Sequence, residues 1–142
     1  MSAEPIGYVL KRVQSVLRAR MDAALDPLGL TTPQYAALSA LEAAPGLSNA
    51  ELARRSFVTP QTMIRVLSTL EERALVVRAP HPIHRRVRSA TLTAKGRRAV
   101  DSCRARAQAI EEEMLADLNP RARARLRGLL VRCAEALERG GA

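Results

Sequence analysis

Aromatic side chains make up only 2% of this 142-residue chain: one Phe, two Tyr and no Trp. Its core must therefore be aliphatic. An Ala- and Leu-rich supply favours helices over a sandwich or barrel, whose cores lean on aromatic and β-branched residues. Cysteine is just as scarce. Cys103 and Cys133 are too few and too far apart for a zinc site or a disulfide framework, so no metal and no cofactor is expected. No apolar run approaches the ~18 residues of a membrane span. The opening MSAEPIGYVLKR also has no basic segment followed by an apolar core, the pattern of a secretory signal. The expected compartment is the cytoplasm, with no membrane partner. No nucleophile and base are suggested either. Glu111, Glu112 and Glu113 spread around a helix as solvated charge, so no catalytic residue is named and an enzyme is not expected.

Lysine is nearly missing too, with Lys11 and Lys95 the only two among 23 basic residues. Guanidinium groups suit phosphate and base recognition, but a codon preference for arginine gives the same ratio. The distribution of charge says more. Of the net +9, residues 1–47 contribute 0, residues 48–98 contribute +8 and residues 99–142 contribute +1. A solvated helical face normally mixes its signs, whereas a locally unbalanced segment points to a polyanionic partner.

That basic segment has a legible plan. SNAELARR (Ser48 to Arg55) opens with a capping box, in which the Ser48 hydroxyl takes the Glu51 amide and the Glu51 carboxylate reaches back to Ser48. TPQTMIRVLSTLEERALV (Thr59 to Val76) places Thr59 at the cap and Pro60 at the first helical position. Only Ser56, Phe57 and Val58 separate the two, which predicts the sharp corner of a helix-turn-helix. In the second helix Ile64, Leu67 and Leu70 form the expected inward row, flanked by Met63 and Val66. The period then becomes extended: LVVRA (Leu75 to Ala79) and RVRSATL (Arg86 to Leu92) read as a hairpin around the tip PHPIHR (Pro80 to Arg85).

Long helices flank this head. Ile6, Leu10, Val13, Leu17, Met21, Ala24 and Leu28 recur at steps of four and three, one stripe along a helix that Asp26, Pro27 and Gly29 end. A shorter helix starts at Thr32, or one residue earlier with Thr31 and Gln34 as a capping box, and Pro45 and Gly46 stop it. Tyr35, Leu38 and Leu41 point inward. After the hairpin, Thr93 caps a long helix with the row Val100, Cys103, Ala107, Ile110 and Met114, spaced to pack on another long helix. Asn119 and Pro120 cap the last helix, whose expected inward row is Leu126, Leu129, Leu130, Cys133 and Leu137. The fold class is thus mostly α with a small β-hairpin wing, in one compact domain.

Three strings, LTTPQYAALSALE (Leu30 to Glu42), ELARRSFVTPQTMIRVLSTLEERALVVR (Glu51 to Arg78) and HRRVRSATLTAKG (His84 to Gly96), together resemble the MarR family of bacterial winged-helix regulators. The likeness runs from about residue 6 to residue 138. It implies a winged helix-turn-helix head, residues 33–93, on an intertwined dimerisation base, residues 1–32 and 94–142. It also implies a homodimer on a pseudopalindromic operator in double-stranded DNA, usually a repressor released by a small-molecule effector.

A helix in the major groove reads bases mainly with its N-terminal, outward residues, here Gln61, Thr62 and Arg65. Gln bonds adenine in bidentate fashion, Arg forks onto guanine and a Thr methyl meets that of thymine, each good bidentate pair giving ~1–3 kcal/mol of discrimination. Thr69 and Arg55 are candidates for phosphate. The wing supplies Arg85, Arg86 and Arg88, and the resemblance assigns Arg86 to the minor groove, where a narrow A·T stretch is most negative. Two residues before it His84 stands where the family's aspartate usually braces that arginine, with His81 three residues earlier. As a hypothesis, protonation would raise DNA affinity below about pH 6.5; an identical pH dependence in His84→Asp would remove the idea. The effector cleft implied by the resemblance has Val9, Val13, Tyr35, Leu38 and Arg97 as candidate liners, although ordinary packing explains each. Cys103 and Cys133 are expected in apolar surroundings that raise a thiol's pKa, against a redox trigger. Two rivals remain: a nucleoid-associated or RNA-binding protein without sequence preference, and a dimeric adaptor that binds protein through its base.

Overall fold

A computed structural model of the chain describes residues 3–80, 83 and 88–141, with Arg88 described by its backbone alone. In chain order its elements are α1 (Ile6–Leu25), a 3-10 turn (Asp26–Leu28), α2 (Thr32–Ala43), α3 (Asn49–Arg55), α4 (Pro60–Glu72), β1 (Val76–Pro80), β2 (Arg88–Leu92), α5 (Ala94–Met114) and α6 (Pro120–Gly140). The chain divides into two compact units, Met1–Ala107 and Gln108–Ala142. No helix among the described residues is long and apolar enough to cross a membrane.

Helix starts follow local chemistry. Thr31, not Thr32, caps α2, and both halves of its capping box with Gln34 form. Ser48 does the same for α3: Glu51 N donates to Ser48 Oγ at 3.3 Å and Ser48 N donates to Glu51 Oε1 at 3.2 Å. Thr59 caps α4, with Pro60 inside it. Asn119 caps α6 by accepting from Ala122 N at 2.8 Å. Each cap satisfies an amide that the first helical turn would leave without a partner.

The core of the first unit is aliphatic throughout. Leu25, Leu38, Leu41, Leu52, Met63, Leu67, Leu70, Leu75, Val76, Val100 and Cys103 are all closed off from solvent. β1 and β2 pair antiparallel, with Val76 opposite Leu92 and Pro80 opposite Arg88. β1 starts one residue later than the alternation predicts, because Leu75 is drawn into the core while Ala74 takes φ 60° to turn the chain out of α4; Arg86 and Val87 of the expected second strand lie outside the described residues. A third extended segment has no signal in the periodicity. Gly46 N donates to the Ala90 carbonyl at 3.1 Å and Ala90 N to the Leu47 carbonyl at 3.3 Å, so the residues before α3 lie along the outer edge of β2.

Three sequence expectations change in the structure. In α4 the buried row is Met63, Val66, Leu67 and Leu70, and Ile64 is exposed. At 100° per residue that row is the tighter arc; Ile64 lies across the helix from Val66. In α1 the expected stripe is buried only toward its end. Ile6, Leu10 and Val13 face solvent, Leu17, Met21 and Ala24 are half-buried, and Leu25 is the fully buried residue. In α6 the expected inward row is open to solvent in the single chain: Leu126, Leu129, Leu130 and Leu137 are exposed, and so is Cys133. The apolar periodicity there is real, but the single chain does not cover it.

Candidate nucleic-acid interface

The corner between α3 and α4 is tight because its amides are used within a few residues. Ser56 N donates to Leu52 O at 2.9 Å and Val58 N to Ala53 O at 3.1 Å. Phe57, between them, takes φ 55° and is 95% exposed. Asn49 Nδ2 donates to the Pro60 carbonyl at 3.2 Å, so the first turn of α3 is pinned to the first turn of α4.

With Met63, Val66, Leu67 and Leu70 buried, the opposite face of α4 is fixed by 100° geometry. Gln61, Arg65, Ser68 and Glu72 are exposed on it, and Thr62 and Thr69 stand half-buried at its border. The side chains of Gln61 and Arg65 make no hydrogen bond or ion pair to the chain among the described residues. Their donors and acceptors are free for an external partner. Thr62 is more occupied, since its amide donates to Thr59 Oγ1 at 3.2 Å and the two hydroxyls lie 3.0 Å apart; its methyl is the part left for contact. Ile64, which the apolar row in the sequence places inward, shares this outer side and joins the candidates for contact. A helical wheel centred on the buried arc is the signal that finds it.

Arg55 is exposed in the last turn of α3, next to Arg54. Glu51 at the other end of that helix is held as a carboxylate: the Ser48 amide first, then the Ser48 hydroxyl, lower its pKa from the usual value. On the wing, Arg88 closes the hairpin register opposite Pro80. Arg85, Arg86, His81 and His84 lie outside the described residues. The foot of the wing is anchored by three hydrogen bonds. Thr93 Oγ1 donates to Ala74 O at 2.6 Å, Thr93 N to Leu75 O at 3.1 Å, and Gly96 N to Thr93 Oγ1 at 3.0 Å. Gly96 passes so close to Leu75 that a Cβ there would stand 2.1 Å from its carbonyl oxygen.

The five candidate effector liners do not share one environment. Leu38 is fully buried in the core, Tyr35 is half-buried against it, and Val9, Val13 and Arg97 are exposed. Burial raises the Tyr35 pKa, opposed by the Arg104 guanidinium, which itself pairs with Glu42. Cys103 is buried and its pKa is raised for the same reason, against Arg106.

Comparison with known proteins agrees with this geometry. The MarR family model matches residues 28–87, the stretch from the turn after α1 to the wing. The HTH-type transcriptional repressor Rv2887 of Mycobacterium tuberculosis is 46% identical over 114 residues, covering 80% of this chain and 82% of that protein. The crystal structure of Rv2887 in complex with DNA superposes with a TM-score of 0.77 at 40% identity, over 92% of this chain and 98% of that one. Its complex with salicylic acid gives a TM-score of 0.75 at 41% identity, over 93% and 98%. Capped helix pair, two-stranded wing and sequence likeness across most of both chains converge: this chain belongs to the MarR family of winged helix-turn-helix transcriptional regulators.

Proposed function

We propose that the chain is a cytoplasmic repressor that binds double-stranded DNA as a homodimer and responds to a small-molecule effector. The observation that carries the reading is the outer face of α4, where Gln61 and Arg65 stand without protein partners among the described residues, in a segment of net charge +8. Gln61, Thr62 and Arg65 read base edges. Thr69, Arg55, Arg85 and Arg88 meet phosphates, and Arg86 enters the minor groove. Residues 33–93 form the reading head; residues 1–32 and 94–142 form the pairing base.

Pairing is supported by apolar surface that the single chain leaves open. On α1, Ile6, Tyr8, Val9, Leu10, Val13 and Val16 are exposed; on α6, Leu126, Leu129, Leu130, Val131 and Leu137 are. Patches of this kind mark interfaces in proteins of this size. A twofold then sets the operator: two α4 helices enter successive major grooves ~34–36 Å apart. For the effector, the salicylic acid held by the relative suggests an aromatic carboxylate. Val9, Val13, Tyr35 and Arg97 are its proposed liners, with Leu38 behind them, closed off from solvent in the core.

Sequencing the genomic DNA retained by the purified protein tests the whole reading. A regulator prefers its operator by ~10³-fold or more over random DNA; retention without a consensus would favour the nucleoid-associated alternative. On the recovered operator, Arg65→Ala should relax base preference, and Arg85→Ala should weaken all sequences and flatten the salt slope. Leu130→Glu should leave a monomer by light scattering.

A further inference from the structure

One apolar side chain stands among the polar ones on the outer face of α4. Gln61, Ile64, Arg65 and Ser68 fall at i, i+3, i+4 and i+7, on one side of the helix, and all four are exposed. Ile64 keeps 54% of its surface in solvent, although Met63, Val66 and Leu67 around it are buried. Helix propensity does not account for it, since a β-branched residue forms helix less readily than Ala or Leu. Nor does Ile64 belong to either of the open apolar rows, which lie on α1 and α6. Single exposed apolar residues are ordinary on a protein surface; this one is set apart by its place in the stripe assigned to base reading, between Gln61 one turn before and Ser68 one turn after.

The chemistry of the major groove says what such a side chain can meet. Base edges present hydrogen-bond donors and acceptors there, and one apolar group, the 5-methyl of thymine. An isoleucine laid over a donor or acceptor strips it of water without replacing the bond, which disfavours that base. Over a methyl it removes apolar surface from water on both sides. Cytosine has no such methyl unless it is methylated at C5, so the group recognised is a pyrimidine 5-methyl, whichever base carries it. A protein or a membrane would need a wider apolar patch than one side chain. Stiffness helps as well: a β-branched side chain on a helix holds one strongly preferred χ1 rotamer, so little freedom is lost on binding. Thr62, the other methyl-bearing candidate, is half-buried at the border of the face, with its hydroxyl engaged by Thr59. Ile64 offers the more open apolar surface.

We propose that Ile64 is a specificity-determining residue that reads the 5-methyl group of a pyrimidine in the major groove, while Gln61 and Arg65 make their hydrogen bonds beside it. The inference rests on the DNA-binding reading and deepens it: the chain tells thymine from uracil, and 5-methylcytosine from cytosine, at the base pair under Ile64. Covering one methyl group is worth roughly fourfold in affinity, hence ~15-fold when both half-sites of a twofold operator carry it.

Synthetic duplexes of the operator recovered from genomic DNA, titrated with the full chain and followed by fluorescence anisotropy, test it. In one arm each thymine is replaced in turn by deoxyuridine, which removes the methyl and keeps every hydrogen-bonding group. In the other, each cytosine is replaced in turn by 5-methyldeoxycytidine, which adds it. The expected result is a position in each half-site where the parent weakens roughly fourfold on losing a methyl, or tightens by as much on gaining one; the first outcome names thymine as the source and the second methylated cytosine. At that position Ile64→Ala should no longer respond, whereas Ile64→Val, which keeps a branched apolar side chain, should respond as the parent does. Circular dichroism establishes that both variants are folded. Equal affinity of the parent for all the duplexes overturns the proposal, and so does an Ile64→Ala variant that responds as strongly as the parent at every position. Failure of the regulator reading is seen separately, as genomic DNA retained without any consensus, and takes this inference with it.

Discussion

Gly96→Ala is the substitution for which the structure gives the clearest magnitude. By helix propensity alone it should help, since Ala is favoured over Gly by up to ~1 kcal/mol within a helix. Packing reverses the sign. The added Cβ would lie 2.1 Å from Leu75 O and 3.1 Å from Leu75 C, whereas ordinary contact begins near 3.4 Å. Backbone, not a flexible side chain, must therefore retreat by about 1 Å. The same carbonyl accepts from Thr93 N at 3.1 Å, and a retreat of that size breaks the bond. Overpacking costs ~1–3 kcal/mol and a lost hydrogen bond ~0.5–1.5 kcal/mol. Set against the propensity gain, the net loss is about 2 kcal/mol, or roughly 5–10 °C in Tm for a chain of this size. Gly128→Ala is the matched control. Gly128 sits within α6 with nothing inside 4 Å of its would-be Cβ, on the face opposite the leucine row by 100° geometry. It should gain up to ~1 kcal/mol. Thermal unfolding followed by far-UV circular dichroism, at one protein concentration because pairing makes Tm concentration-dependent, compares the two. If Gly96→Ala unfolds at or above the parent temperature, the close approach of α5 to the Leu75 backbone is wrong.

Phe57→Gly should stabilise the chain by up to ~1 kcal/mol, because φ 55° is costly for a side chain that is 95% exposed and packs on little; urea unfolding reads it, and a loss would show that Phe57 has a contact worth more than its strain. Glu51→Gln tests the capping box through pH. The folded Glu51 pKa is lowered, so its contribution is present above the unfolded value of about 4.5 and is lost as pH falls through the folded one. The stability gap between parent and variant should accordingly be larger at pH 7 than at pH 3, and a constant gap refutes the role assigned to the carboxylate. Cys103, buried with a raised pKa, should resist iodoacetamide at pH 8 until the chain is unfolded. Mass spectrometry of the labelled protein decides; labelling at the unfolded rate would reopen thiol sensing.

Some of this molecule can be read directly from its residues, and the reason is range. The caps of α2, α3, α4 and α6 each involve residues within three positions of each other, so a side chain and the amide it satisfies are neighbours in the sequence. The hairpin is legible for the same reason, as is the concentration of charge in residues 48–98. Which face of α4 turns inward is harder to read. Met63, Ile64, Val66, Leu67 and Leu70 offer two overlapping apolar arcs, and only the neighbours that α4 meets select between them. That choice puts Ile64 on the outside, next to Gln61 and Arg65.

By itself the sequence determined helix starts, the corner of the helix pair and the wing, since these follow from local hydrogen bonding and period, and the resemblance of three of its strings pointed to the family. Tertiary structure alone decided what depends on distant residues. It laid Gly46 and Leu47 along β2, drew Arg73 to Gly29 across 44 positions, and pressed Gly96 against Leu75. It also left the apolar rows of α1 and α6 open, although their spacing matches that of a buried face. Periodicity records that a face is apolar; whether the same chain covers it depends on what the fold brings there.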